Sequence, residues 1–181
     1  MLQHIRKLVG FVRLFARAQD GATAVEFAMV ATPFLALLFA ILETALVFFA
    51  GQTLEAAASN SARLIMTGQA QTASYSKDDF KTAVCNYLSG AMFDCTSGVY
   101  IDVKSYSNFA AINTAPPVTN GQLDTSNMAY TPGGPGDIVV VRLYYQWPIT
   151  VSLLGDNLAT LNGNKRLLIA TSVFRNEPYG G

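Results

Sequence analysis

From Phe27 to Ala50 the chain is apolar, with Glu43 as its one charged residue. As a helix, these 24 residues would extend about 36 Å at 1.5 Å per residue. That crosses a hydrocarbon core of roughly 30 Å with some tilt. A core helix of a small domain would keep a polar stripe, and this run has none. Beyond Gly51, Leu54, Ala57, Ala58, Ser61 and Ile65 recur on one side of a helix, so residues 51–67 are expected to extend the same helix out of the lipid. Residues 68–76 are small and polar and read as a linker. Ser76 with Asp79 three positions later predicts a capped helix from Lys77 to about Ser89. Three strand-like runs follow. Val99, Ile101 and Val103 alternate with Tyr100, Asp102 and Lys104; Val139, Val141, Leu143, Tyr145 and Trp147 share one face of a run from Ile138; and Arg166 to Phe174 is rich in Leu, Ile and Val. Between the first two runs, residues 107–136 carry Pro116-Pro117 and Pro132-Gly133-Gly134-Pro135, a loop long enough to be functional or mobile. The pattern predicts an α+β class: a long N-terminal helix, then a small domain with one helix and a three-stranded antiparallel sheet.

Charge divides the chain at Gly21. Residues 1–21 hold Arg6, Lys7, Arg13 and Arg17 against Asp20, whereas the remainder holds 8 Lys and Arg (12 − 4) against 11 Asp and Glu (12 − 1). Basic residues ahead of the span predict a cytoplasmic N-terminus and an exported C-terminal part. The apolar run is too long for a secretory signal peptide and lacks a small-x-small site at its end, so a retained anchor is expected. The expected organisation is a leader over 1–21, a transmembrane helix over 22–50, its extension over 51–67 and a periplasmic domain over 68–181. No basic patch for nucleic acid follows the leader.

The segment Asp20-Gly21-Ala22-Thr23-Ala24-Val25-Glu26-Phe27 sets a lone carboxylate at the edge of the span, five residues after a glycine that ends a basic leader. A carboxylate within the bilayer costs up to roughly 2.5–3.5 kcal/mol, less near the surface. Cleavage after Gly21 would create a cation to offset that cost, the α-amine of Ala22 on a neighbouring subunit. The plainer alternative leaves Glu26 in the headgroup region and Gly21 as a helix breaker.

This junction resembles the processing site of type IV prepilins, and its continuation resembles the TadE-like pseudopilins of the tight-adherence (Flp) pilus system. The resemblance rests on Gly21 and Glu26, on the late acid in Ile41-Leu42-Glu43, on Ala56-Ala57-Ala58 and Ala62-Arg63, and on the ending Phe174-Arg175-Asn176-Glu177-Pro178-Tyr179. Flp pilins carry Tyr after the acid; Phe27 stands here, which points to a pseudopilin rather than a major pilin. The resemblance implies a bacterial inner-membrane protein, cut by a prepilin peptidase at Gly21 and Ala22. Its implied partners are other pilins and pseudopilins, the assembly platform and membrane lipid, with no cofactor and no small-molecule substrate. The rival is an uncleaved anchor presenting a periplasmic binding domain to an envelope complex.

Glu43 shares a stripe with Ala36, Ala40 and Ala50. Small residues at that spacing allow helices to approach closely, so Ala36, Ala40 and Glu43 are expected to pack against a subunit. The alternative is a snorkelled or protonated Glu43 near the interface. Glu26 lies 17 positions earlier, roughly 100° away around the helix, and should face a different neighbour. Pro33 removes one helical hydrogen bond and is expected to mark a kink. Cys85 and Cys95 fall on the exported side, where an oxidising compartment favours a disulfide. Arg142, on the other sheet face among Val140 and Tyr144, is expected to be solvated or paired. The one histidine, His4, lies in the leader, which leaves no Ser-His-Asp or Cys-His arrangement and no metal set in the remainder. An enzyme is not expected.

Overall fold

The computed structural model describes residues 21–88, 93–150 and 158–179. The expected leader therefore lies outside the described residues, Gly21 apart, as does Ser89. The chain divides into two compact units between Leu42 and Glu43.

Helix α1 spans Ala22–Met66 with Pro33 inside it. Thr32 Oγ1 donates to the Ala28 carbonyl at 2.7 Å, supplying a partner beside the carbonyl that proline leaves unbonded. In the first unit, Phe27, Met29 and Val30 are more than two-thirds exposed, with Phe34, Leu37 and Phe39 about half exposed. This part of α1 presents apolar side chains to its surroundings on every side.

The second unit begins at Glu43. Here α1 acquires one buried face, Glu43, Val47, Ala50, Leu54, Ala57, Ala58, Ser61, Ala62 and Ile65, the side predicted by periodicity. Each large aliphatic on it gains roughly 1.5–3 kcal/mol from burial. Ser61 is tolerated there because its hydroxyl donates to the Ala57 carbonyl at 2.7 Å. The helix stops at Gly68, whose φ of 78° is the left-handed conformation that ends helices, and Arg63 sits favourably in the last turn. Where a linker is expected, a short helix α2, Gln69–Thr72, follows with Ala70 buried. Small residues gave no apolar period there, yet Ala70 and the left-handed glycine let the chain fold back. Helix α3, Lys77–Tyr87, starts at a capping box: Ser76 Oγ accepts from the Asp79 amide at 3.2 Å, and Asp79 Oδ2 accepts from the Ser76 amide at 2.9 Å. A single turn, α4 (Cys95–Gly98), precedes the sheet.

Strands β1 (Val99–Tyr106), β4 (Ile138–Pro148) and β5 (Lys165–Arg175) form an antiparallel sheet in the order β1-β4-β5. Val99 pairs with Tyr145, and Leu143 with Ala170. The face carrying Val139, Val141, Leu143 and Tyr145 is buried in one core with α1 and with Phe80 and Val84 of α3. Residues 107–136, expected as a loop, contain a 3₁₀ turn at Phe109–Ala111 and a small hairpin of β2 (Val118–Thr119) and β3 (Gln122–Leu123). Asn120 and Gly121 form its turn with φ of 53° and 72°, the conformation that favours an Asn-Gly pair. This excursion supplies Leu123 and Met128 to a second cluster with Tyr144, Leu161 and Leu167 on the other sheet face. It also runs along the edge of β1, where the Val103 amide donates to Ala129 O and the Thr131 amide to Val103 O, both at 2.8 Å.

Candidate functional site

Gly21 is exposed and immediately precedes α1, and a side chain added there would meet nothing within 4 Å. Ala22 is the first residue of the helix and Glu26 is exposed on its second turn. The described residues thus carry an accessible glycine–helix junction with a carboxylate one turn inside it. Ala36 and Ala40 are half-buried along α1. Glu26 and Glu43 stand 17 residues apart on one helix and are not brought together.

Glu43 is buried, 6% exposed. Its Oε1 accepts from the Thr150 amide at 2.5 Å and from the Thr150 hydroxyl at 3.1 Å. Thr150 follows β4, 107 residues downstream. Two donors on one carboxylate oxygen hold this point of α1 against the end of the sheet. At the opposite end of the sheet, the Glu177 amide donates to the Met66 carbonyl at 2.9 Å, giving one of the last carbonyls of α1 a partner. The segment of α1 over the domain is thus pinned at both ends. No local pattern marks Thr150 as a partner.

The Met66 end is built from the chain's terminal residues. Asn176 Nδ2 donates to Pro132 O at 3.0 Å and to Gly134 O at 2.9 Å, while the Asn176 amide donates to Asp137 O at 2.8 Å. Gln71 Nε2 reaches Pro132 O at 3.1 Å, and Tyr179 Oη reaches Gly133 O at 3.3 Å. The Tyr179 ring lies on Gly68, where an added Cβ would overlap it. The Asn-Glu-Pro-Tyr ending therefore clasps the Pro132–Gly136 turn and closes α1. A glycine just past a long apolar helix was the available signal for this closure.

Near the Thr150 end of the sheet, Cys85 and Cys95 form a disulfide with Cα atoms 5.7 Å apart, tying α3 to the start of β1. Phe93 meets Tyr145 edge-on at 4.9 Å and Trp147 at 6.1 Å. Asp94 caps the turn at Cys95 through Ser97, whose hydrogen bonds hold its carboxyl below the usual range.

On the outer sheet face, Asp102 is buried, accepts from the Ala129 amide at 2.8 Å and pairs with Lys104 at 3.1 Å. Arg142, across from it in register, donates to the Asn113 carbonyl, so this side chain, expected to be solvated or paired, is held by a backbone oxygen. These bonds hold the 107–136 segment on the sheet. Among the described residues, no three His, Cys, Asp or Glu side chains converge as a metal set.

A family model for TadE-like proteins matches residues 21–63. The resemblance read from Gly21, Glu26, Glu43 and the Ala-Arg pair is therefore shown, over a stretch that stops short of the sheet. The family is one of structural components of the Tad pilus, and other pilus components are its expected partners. No curated protein and no solved structure matches the chain. The apolar N-terminal helix fits a membrane anchor, being long and apolar enough to cross a bilayer.

Proposed function

We propose that this chain is a TadE-like minor pseudopilin: a single-pass protein of the bacterial inner membrane whose leader, residues 1–21, is removed by a prepilin peptidase. The observation that carries this reading is the start of α1 at Ala22, directly after an exposed Gly21, with Glu26 exposed one turn later. An exposed glycine gives a protease room at the scissile bond. The new Ala22 amine is a cation at the membrane surface, and Glu26 of a neighbouring copy or pilin supplies its counter-charge. That pairing offsets the cost of holding a carboxylate at membrane depth and sets the register between helices. Ala36 and Ala40 form a smooth strip on which a second helix can pack closely. The N-terminus faces the cytoplasm, and the domain from residue 68 is periplasmic, docking on the growing fibre or on the assembly platform.

Glu43, read from the sequence as part of the same packing strip, has its carboxylate engaged by Thr150. Its contribution to assembly therefore runs through the domain it holds. Intact-mass analysis of the protein extracted from membranes tests the proposal: with the peptidase present the chain begins at Ala22, and without it at Met1. A chain that keeps Met1 in both cases is instead the uncleaved anchor that presents a periplasmic binding domain. Glu26→Ala is expected to leave cleavage intact and weaken association. Unaltered pilus assembly in that variant would refute the charge-pairing role.

A further inference from the structure

We infer that the free edge of β5 takes up an extended segment of another protein as an added strand. Apolar residues form the middle of that segment and acidic residues its ends. The antiparallel register fixes which way each backbone group of the sheet points. On β5, the Lys165 carbonyl accepts from the Thr160 and Leu161 amides, and the Leu167 amide donates to Thr160 Oγ1, all on the side away from β4. The two-residue period then aims the N–H and C=O of Ile169, Thr171 and Val173 to that same side. Among the described residues nothing bonds to them there. The opposite edge of the sheet is closed by the chain itself: on β1, the outward N–H and C=O of Val103 are taken by Ala129 and Thr131.

The side chains fit the same use. Leu167 to Phe174 contains no charged residue and no proline, the devices by which edge strands repel pairing. Ile169 and Val173 are 38% and 44% exposed, so an added strand would cover apolar surface as well as satisfy backbone groups. Between this edge and α1 lies a groove of about 430 Å³ whose walls include Phe48, Gly51 and Gln52 of α1 with Leu158, Leu167 and Leu168. It gives room to the side chains that such a strand turns inward. Charge selects the occupant. Lys165 and Arg166 precede the apolar run and Arg175 ends it. They reach neutral oxygens: Gln146 Oε1 at 3.5 Å, the Leu158 carbonyl at 3.2 Å and the Gly136 carbonyl at 2.8 Å. Among the described residues the one ion pair joins Lys104 and Asp102, so these three cations have no carboxylate. A second copy fits poorly. Pairing Ile169 with Thr171 across a twofold axis sets Lys165 opposite Arg175 twice, and like charges in opposition destabilise a strand pair. A strand with acidic ends meets those cations instead.

Amide-resolved hydrogen exchange on the full-length protein in detergent micelles tests this, with a synthetic peptide of alternating Val and Thr carrying Asp at both ends as the probe. The peptide is expected to slow exchange at Ile169, Thr171 and Val173 by about tenfold or more. Ala170 and Ser172, whose amides face β4, should be unchanged. The same peptide with Lys in place of Asp should bind about three- to tenfold more weakly. Thr171→Pro deletes one outward N–H without touching the ladder to β4, which an edge strand tolerates, and should abolish the protection at Ile169 and Val173. Ile169→Lys, which leaves the backbone intact and puts a charge on the edge, should abolish it at Thr171 and Val173. If the three amides keep their free exchange rate in millimolar peptide, or if Ile169→Lys leaves the protection in place, the edge does not take a strand. A Lys-ended peptide that binds as well as the Asp-ended one overturns the acidic partner. Protection of the same amides in the protein alone, deepening with its concentration, assigns the edge to a second copy and overturns the choice of occupant.

Discussion

Gly68→Ala should destabilise the domain by about 2–5 kcal/mol, and about half of that should disappear when Tyr179 is also removed. Two costs combine at this position. Gly68 has φ of 78°, where an L-residue with a Cβ pays roughly 1–2 kcal/mol. The added carbon would also overlap the Tyr179 ring, which must move away and give up its 3.3 Å hydrogen bond to Gly133 O and its packing on the turn after α1. Such a bond is worth about 0.5–1.5 kcal/mol, and the lost ring contact adds a similar amount. In a Tyr179→Ala background nothing remains to be displaced, so only the backbone cost should persist. The double-mutant cycle should therefore show a coupling of about 1–3 kcal/mol, within the range for residues in direct contact. Urea unfolding of the four full-length proteins in the same detergent, followed by near-ultraviolet circular dichroism, provides the measurement. Equal penalties for Gly68→Ala with and without Tyr179 would refute the proposed clasp. A single-variant penalty well under 1 kcal/mol would refute the backbone reasoning as well.

Other consequences can be checked in the same preparation. Replacing both cysteines by serine opens a loop of ten residues' separation and should cost about 2–3 kcal/mol, seen as a lower urea midpoint that matches reduced wild type. Glu43→Leu leaves the Thr150 amide without its acceptor and should cost about 1–3 kcal/mol, while Glu43→Gln, which keeps an oxygen there, should cost clearly less by the same assay. Burial, with smaller contributions from Asp79 and Tyr75, pushes the Tyr130 hydroxyl from 10.0 to about 12. Since the folded value is the higher one, its contribution is intact below pH 10 and is lost as pH rises from there toward 12. Tyr130→Phe should flatten that alkaline loss and be no less stable at neutral pH, because the buried hydroxyl has no partner; a strong neutral-pH penalty would contradict this. Asp79 is held below 3.8 mainly by the Ser76 hydroxyl. Its stabilising effect is therefore present above pH 3.8 and lost as pH falls through the depressed value, and Ser76→Ala should bring its NMR titration midpoint up toward 3.8.

Several of these elements were readable from the residues because their signals are local. Leu54, Ala57, Ala58, Ser61 and Ile65 repeat at helical spacing, Ser76 and Asp79 stand at capping distance, and Val139 to Tyr145 alternate; each is a few residues long and each appears as expected. The hairpin at Asn120-Gly121 had the right turn pair, but its strands are two residues each, too short for alternation to register. What holds the domain to α1 was not readable. Thr150 and Glu177 engage Glu43 and Met66 through backbone amides, which every residue but proline possesses, so nothing in the residue types announces the pairing. Asn176 is hidden on the acceptor side instead: its side-chain amide donates to backbone carbonyls of a distant turn, which no residue type announces. Gly21 and Glu26 stood out because they lie just ahead of the apolar run from Phe27, at its junction with the basic leader.

The two-point attachment of α1 has a mechanical consequence. With Thr150 gripping it at Glu43 and Glu177 at Met66, a tug along the helix axis loads the whole contact from Val47 to Ile65 in shear. No single turn can peel away ahead of the others. Over this stretch the helix and the sheet therefore move together, and a load applied to the helix at Glu43 is shared with the end of β4 through Thr150.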